Sequence, residues 1–212
     1  MKRFLLASVA LAFTAGVASA QVNVVPQVGV TSGYVPKATY SSAFVGLVPV
    51  SSGTDVVCIK GSATKLVRLV QMKIAGTAAT AVQSIPVVLV RRASADTGGT
   101  PASTTANPGV TTQIAKRDST QATASAVLIS YTANPTIVDA APVYLDSQSL
   151  TMPVVTSVVN ALPADFNYSS DPQGLRAQPT LRGVAQQICA NIQGVSLTNA
   201  AVWNGSITWT EE

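Results

Sequence analysis

The segment Trp203-Asn-Gly-Ser-Ile-Thr-Trp-Thr210 is the clearest indicator of the fold class. Apolar or small residues at positions 203, 205, 207 and 209 alternate with polar residues at positions 204, 206, 208 and 210. A period of two is typical of a half-buried β-strand. Asn204-Gly205 is usually a hairpin signal, but the alternation continues across it. The segment therefore predicts one strand, with Trp203 and Trp209 facing a core.

The composition extends this interpretation to the whole chain. Its 212 residues include 30 Val and 23 Thr but only 14 Leu, 6 Lys and 2 Glu. Val and Thr suit a pleated sheet, whereas Leu, Lys and Glu usually fill helices. Charged residues make up 10% of the chain, against roughly a quarter in an ordinary soluble domain. The composition predicts an all-β protein and argues against helical bundles, coiled coils and α/β enzymes.

The distribution of turns and strands predicts an antiparallel β-sandwich or jelly roll. About eight to ten short strands are expected after residue 50, which is the number such folds use. Within the strand Thr64–Ile74, Val67 and Leu69 have one parity whereas Val70, Met72 and Ile74 have the other, which predicts a β-bulge. Two long loops are predicted, over 96–109 and over 163–179, because both stretches are rich in turn residues.

The sequence predicts that the chain has three parts: a signal peptide, an N-terminal arm and a domain. Residues 1–20 combine a basic start, an apolar run and the small-x-small site Ala18-Ser-Ala20, which indicates a secretory signal peptide. A buried N-terminal strand or helix is the alternative. Removing this segment lowers the net charge from +4 to +2 and leaves no expected membrane span. Residues 21–50 are predicted to form an extended N-terminal arm with one or two short edge strands, and residues 51–212 a single β-sandwich domain.

The two cysteines, Cys58 and Cys189, allow two interpretations. In an exported protein they can form a disulfide, and a bridge over so long a loop stabilises by roughly 4–5 kcal/mol in the chain-entropy model. Alternatively, both are small core hydrophobes in different strands. No CxxC motif or Cys/His cluster is present, so no zinc site is expected.

The residues that usually carry catalysis are scarce. The chain has no histidine, so it lacks the commonest general base and the commonest metal ligand. Asp96, Asp118, Asp139 and Asp171 lie in apparent turns, where Asp normally caps its own backbone. The only glutamates, Glu211 and Glu212, are predicted to be solvated. We therefore expect no enzyme, no catalytic residues, no metal and no cofactor, and Asp-based catalysis remains as an alternative.

Basic residues do not indicate a nucleic-acid partner. They are spread along one strand and over two pairs, Arg91-Arg92 and Lys116-Arg117. A nucleic-acid surface is usually a denser basic patch with interleaved aromatic residues. Aromatic residues make up only 5% of this chain. We therefore interpret the basic residues as solvated charges on edge strands and loops.

Several stretches together resemble a group of small virion-associated proteins of tailed bacteriophages. The stretches are Cys58–Arg68, Pro86–Arg92 with Thr97–Thr100, Tyr131–Pro135, Leu181–Gln186 and Ile207–Glu212. The resemblance covers about residues 54–212. It implies a β-sandwich or jelly-roll subunit that decorates a capsid or joins head or tail parts, and it implies no catalytic residues. A signal peptide departs from this pattern, because virions assemble in the cytoplasm.

Two classes of function follow as hypotheses. The first is a non-enzymatic virion structural protein that packs against copies of itself, as a homo-oligomer, and against other capsid or tail proteins. Low charge suits such contacts, because interface cores are depleted of charged residues. The second is an exported bacterial adhesin, pilus-like subunit or carbohydrate-binding β-sandwich, located in the periplasm or outside the cell.

Overall fold

The β-branched segments form twelve strands, and the described part of the chain contains no helix. The structure, a computed structural model, describes residues 37–50, 53–102, 112–154, 156, 160–169, 177–197 and 201–212. The strands are β1 (Ala38–Leu47), β2 (Asp55–Lys60), β3 (Leu66–Thr77), β4 (Gln83–Arg92), β5 (Thr100–Pro101), β6 (Thr112–Lys116), β7 (Val127–Ser130), β8 (Val143–Met152), β9 (Ala164–Asn167), β10 (Thr180–Arg182), β11 (Gln187–Asn191) and β12 (Val202–Glu211).

The strands form two antiparallel sheets of six strands each. In the first sheet the order is β10-β3-β12-β1-β6, and β9 also pairs with β3. In the second sheet the order is β5-β7-β2-β11-β4-β8. One hydrophobic core contains side chains from both sheets, such as Phe44 and Trp209 from the first and Ile59 and Leu89 from the second. The all-β prediction is confirmed, and the architecture is consistent with a β-sandwich.

The predicted terminal strand is β12, and it runs unbroken through Asn204-Gly205. Trp203, Ile207 and Trp209 are fully buried, as the alternation predicted. The ring of Trp209 stacks on that of Tyr40 in β1, with ring centroids 5.8 Å apart. Strand β12 therefore supplies the largest side chains of the core from the middle of the first sheet.

The predicted bulge in β3 is confirmed. The register against β12 shifts between Thr208 and Trp209, which pair with Gln71 and Leu69, so that Val70 is the extra residue. Because one inserted residue reverses the alternation, Leu69 and Met72 both face the core.

Part of the predicted N-terminal arm, residues 21–50, belongs to the first sheet. Residues 38–47 form β1, which lies between β12 and β6 inside the first sheet. Tyr40 and Phe44 of β1 are buried, and the compact unit begins at Lys37. Tyr40 and Phe44 share a parity that is a strand signal, but the polar Ser42 between them and the neighbouring prolines obscured it. Residues 1–20 and 21–36 of the predicted leader and arm lie outside the described residues.

The predicted long loops also contain strands. Strand β9 lies within 163–179 and pairs with β3, and its Phe166 is buried in the core. Strand β5 lies within 96–109. Short strands of two to four residues give too little alternation to be recognised among turn residues.

Gly205 provides a test of the packing between β1, β3 and β12. A Cβ atom at this position would overlap the backbone oxygen of Lys73 and the ring of Phe44. Because that backbone oxygen belongs to a paired strand, we expect Gly205→Ala to lower the free energy of unfolding by about 1–3 kcal/mol. Ser206→Ala, at the next position of the same strand, is the control and should change it by less than about 0.5 kcal/mol. Equal urea midpoints for the two variants would contradict the packing described here.

Candidate functional site at the outer face of the second sheet

Cys58 and Cys189 form a disulfide between neighbouring strands. They lie directly opposite each other in β2 and β11, the two central strands of the second sheet. The sequence left two interpretations open, a disulfide or two separate core cysteines, and the structure contains the disulfide. The sulfur atoms pack with Val90 and Tyr131 in a small cluster that is separate from the main core. The middle of this sheet is therefore buried on both faces.

Two connecting segments lie over this outer face. Residues 93–99 follow β4 and residues 132–142 precede β8, and reciprocal backbone hydrogen bonds between Thr97 and Thr136 join them at 3.2 Å. Gly99 has no room for a side chain, because a Cβ atom there would overlap Ile129 and Tyr131. Glycine is needed at this point because the backbone lies directly on the cluster around the disulfide.

Arg92 is the centre of a buried ionic group, which we call the Arg92 cluster: Arg92, Asp55, Asp96 and Asn191. Arg92 ends β4 and is only 2% exposed. Its Nε lies 2.5 Å from Oδ2 of Asp55 and 3.2 Å from Oδ2 of Asp96. Asn191 donates from Nδ2 to Oδ1 of Asp55. The interpretation of Arg91-Arg92 as a solvated pair is therefore wrong for Arg92.

The same cluster fastens the two connecting segments to the sheet. Arg92 donates from Nη1 to the backbone oxygen of Asp139, whose carboxylate accepts from the N–H of Ala93 at 2.6 Å. Asp96 accepts from the N–H of Val138 at 3.3 Å. The prediction that Asp96 caps its own turn is therefore wrong. Asp96 is buried and links the two segments. Asp118, in contrast, does cap its own turn through Thr120.

Burial and neighbouring charges shift the pKa values of residues in and beside the Arg92 cluster. Burial, and then the neighbouring Asp55 carboxylate, raise the pKa of Asp96 to about 7. Burial lowers the pKa of Arg92, but the hydrogen bond to Asp55 and the surrounding carboxylates outweigh this effect and raise it. Burial and the carboxylates of Asp96 and Asp55 raise the pKa of Tyr131 to about 12. Two carboxylates facing one guanidinium thus hold an extra proton close to neutral pH.

The disulfide determines what the cluster can bind. A carboxylate oxygen of Asp55 and the sulfur atoms of Cys58 and Cys189 lie within 4.8 Å of one another. Cysteine binds a metal as a thiolate, and here the two sulfur atoms are bonded to each other. This group of residues is therefore a structural contact between the ionic cluster and the disulfide.

A pocket of about 350 Å³ opens beside the Arg92 cluster. Thr54, Arg92, Asn191 and Gln193 supply its polar lining, and the exposed Tyr144 also lines it. The apolar part of the lining consists of Ile137, Ala140 and Pro142. Its formation depends on segment 132–142 and therefore on the bonds that Arg92 and Asp96 make. No sequence motif indicated this pocket, because its residues come from four separate parts of the chain.

Glu211 is a second buried acid that the sequence analysis placed in solvent. It is 3% exposed and accepts hydrogen bonds from the N–H and the hydroxyl of Ser125, from the N–H of Ala126 and from Nε1 of Trp209. The prediction is wrong because Glu211 continues the inward parity of Trp209. Glu212 lies at the surface and forms ion pairs with Lys37 at 2.6 Å and Arg68 at 2.8 Å.

Comparisons with protein-family models, with curated proteins and with solved structures gave no match. Among the described residues, no helix is long and apolar enough to cross a membrane.

The two adjacent arginines provide a matched test of the Arg92 cluster. Arg92→Met leaves two buried carboxylates without their cation, so we expect a loss of about 3–5 kcal/mol in the free energy of unfolding. Arg91→Met removes the same charge from a partly exposed position and should cost less than about 0.5 kcal/mol. Chemical denaturation of both variants at neutral pH measures the difference. Similar losses would show that the buried arginine has no special role.

Asp96 should make stability fall as the pH rises from about 4 to about 7. Its pKa is raised on folding, so the folded state holds the proton over this range whereas the unfolded state releases it. Each unit of difference in pKa corresponds to about 1.4 kcal/mol. Asp96→Asn should remove this slope, because the amide does not titrate.

The control for this pH dependence is Asp118→Asn. The pKa of Asp118 is lowered by its hydrogen bonds to Thr120, so its contribution to stability changes only in more acidic solution. The slope between pH 5 and 7, measured by thermal unfolding, should therefore be unchanged in this variant. A slope that persists in Asp96→Asn would contradict the assignment.

Proposed function

We propose that this protein is a non-enzymatic structural subunit of a bacteriophage particle that acts by packing against copies of itself and other virion proteins. Two arguments support the proposal. The first is the resemblance of several stretches to small virion-associated proteins of tailed phages. The second is the character of the outermost strand of the second sheet, β8.

Strand β8 carries few of the features by which edge strands normally avoid pairing. It is ten residues long, and its sequence Val-Tyr-Leu-Asp-Ser-Gln-Ser-Leu-Thr-Met contains one charged residue, Asp146, and neither lysine nor proline. Natural edge strands usually carry lysine, proline or a bulge. Here a bulge occurs at Leu145, and the register is regular from Asp146 to Met152.

Within the described residues, little strand pairing occurs on the outer side of β8. In the described part of the chain, the outer side of β8 is bridged only at Thr151, which pairs with Leu162. Exposed apolar side chains flank the strand at both ends, with Val143 49% and Leu162 57% exposed. A long edge with one charged side chain, between apolar side chains, is suited to a neighbouring subunit, which can add a strand.

Mass spectrometry of purified particles tests the proposal directly. Particles are produced from a phage genome that encodes this chain, and we expect its peptides at a stoichiometry comparable with other structural proteins. Absence of the chain from intact particles would refute the virion role, whatever its oligomeric state in isolation.

Ser147→Lys tests the contribution of the β8 edge. A lysine in the middle of an edge strand opposes pairing, so we expect a smaller assembly by light scattering, with the melting temperature unchanged. Ser119→Lys places the same side chain in an exposed turn of the opposite sheet, next to β6, and serves as the control. If the Ser147→Lys variant assembles as the wild type does, β8 is not the contact.

The second candidate is an exported adhesin, pilus-like subunit or carbohydrate-binding β-sandwich. The disulfide between Cys58 and Cys189 favours it, because such bonds persist in oxidising compartments. Its test is fractionation of cells that express the chain in the absence of particles, followed by N-terminal sequencing. A chain that begins at Gln21 in the periplasm or medium supports export, and a full-length reduced chain in the cytoplasm contradicts it.

A further inference from the structure

The pocket beside the Arg92 cluster contains a polar group that the protein leaves unsatisfied. The hydroxyl oxygen of Thr54 is buried and has no hydrogen-bond partner within the described residues, and Thr54 lines the pocket. An unpaired buried hydroxyl is unfavourable by about 1–3 kcal/mol. A hydroxyl can both donate and accept, so a ligand with hydroxyl groups would satisfy it once the Thr54 side chain rotates toward the pocket, because the oxygen is not accessible to solvent in the structure.

Gln193 is held on the pocket in an unusual backbone conformation. Its φ is +58°, and it is the one non-glycine residue with positive φ among the described residues. Its N–H and Nε2 both donate to Oδ1 of Asn191, at 2.7 and 3.3 Å. Non-glycine residues adopt this conformation at an energetic cost, and such residues concentrate at binding sites. The turn thus presents an amide side chain to the pocket.

Tyr144 adds an aromatic surface. It is 61% exposed, whereas the other described tyrosines, Tyr40, Tyr131 and Tyr168, are buried. An aromatic ring at the edge of a pocket with a few polar groups is a common arrangement in small-molecule sites. The face of such a ring packs well against C–H groups, and its hydroxyl remains free for a polar contact.

Among the described residues, the pocket offers no unpaired positive charge to an anionic ligand. Although Arg92 lines the pocket, its charge is neutralised by Asp55 and Asp96. No other described cation lines the pocket. The volume of about 350 Å³ lies at the lower end of the range for small-molecule sites. A small neutral ligand fits these constraints.

We propose that this pocket binds one unit of a neutral saccharide. The ring of Tyr144 packs on the C–H face of the sugar, and Thr54 and Gln193 hydrogen-bond its hydroxyl groups. Asn191 acts as a positioning residue, because it fixes Gln193. The proposal does not rest on the packing role, although the pocket shares Tyr144 with β8; it rests on the second candidate function, the carbohydrate-binding β-sandwich, and specifies its site.

The full chain is screened on an array of neutral glycans, including glucose, galactose, mannose, rhamnose and N-acetylglucosamine units, beside sialylated and phosphorylated glycans. We expect binding to at least one neutral glycan and no preference for the anionic ones. Saturation-transfer NMR with the best neutral sugar should show contact through its C–H groups. Binding of anionic glycans alone, or of no glycan, would overturn the proposal.

Variants then locate the site by calorimetry. Tyr144→Ala should weaken binding by about 10-fold, and Thr54→Val by about 5-fold. The matched control is Thr210→Val, because the Thr210 hydroxyl is also buried without a partner among the described residues but does not line the pocket. Unchanged affinity in Tyr144→Ala and Thr54→Val, with melting temperatures like that of the wild type, would overturn the assignment. Incorporation into particles by the Thr54→Val variant, whose residue lies outside β8, separates this result from the virion role.

Discussion

The ion pair between Arg92 and Asp55 is the interaction on which the second sheet and the two segments over its outer face depend. A buried guanidinium is tolerated only where its charge and its N–H groups are satisfied. Asp55, Asp96 and the backbone of Asp139 provide those partners from three separate parts of the chain. One side chain therefore fixes the end of β4, the start of β2 and the two segments over the disulfide. The pocket exists because those segments are held in place.

A similar arrangement holds the end of the chain in the first sheet. Glu211 is buried and accepts hydrogen bonds from the backbone of Ser125 and Ala126, which precede β7 of the other sheet. It also accepts from the indole of Trp209. The two sheets are therefore joined by apolar packing and by a carboxylate that is specific for one arrangement of strands. Few residues of this chain are charged, and yet four of them, Asp55, Arg92, Asp96 and Glu211, are buried.

The sequence was sufficient where one physical effect dominated. Alternation predicted β12 through Asn204-Gly205, and the change of parity between Leu69 and Met72 predicted the bulge, because each pattern reflects a single buried face. It was insufficient for β1, where Pro36 and Pro49 outweighed the pattern of Tyr40 and Phe44. The Arg92 cluster and the pocket could not be predicted, because they depend on which distant segments meet. The inward position of Glu211 was readable from its parity with Trp209.

The disulfide also separates the chain into a ring and two tails. Cys58 and Cys189 are 131 residues apart, so β3 to β10 lie within the covalent ring, whereas β1 and β12 lie on the two tails. In the first sheet these two tail strands are adjacent and occupy the positions between β3 and β6. Within the described part of the first sheet, β3 and β6 are therefore joined only through the two tail strands, β12 and β1. Deleting β1 or β12 would leave the disulfide-closed ring intact but would remove a central strand from the first sheet.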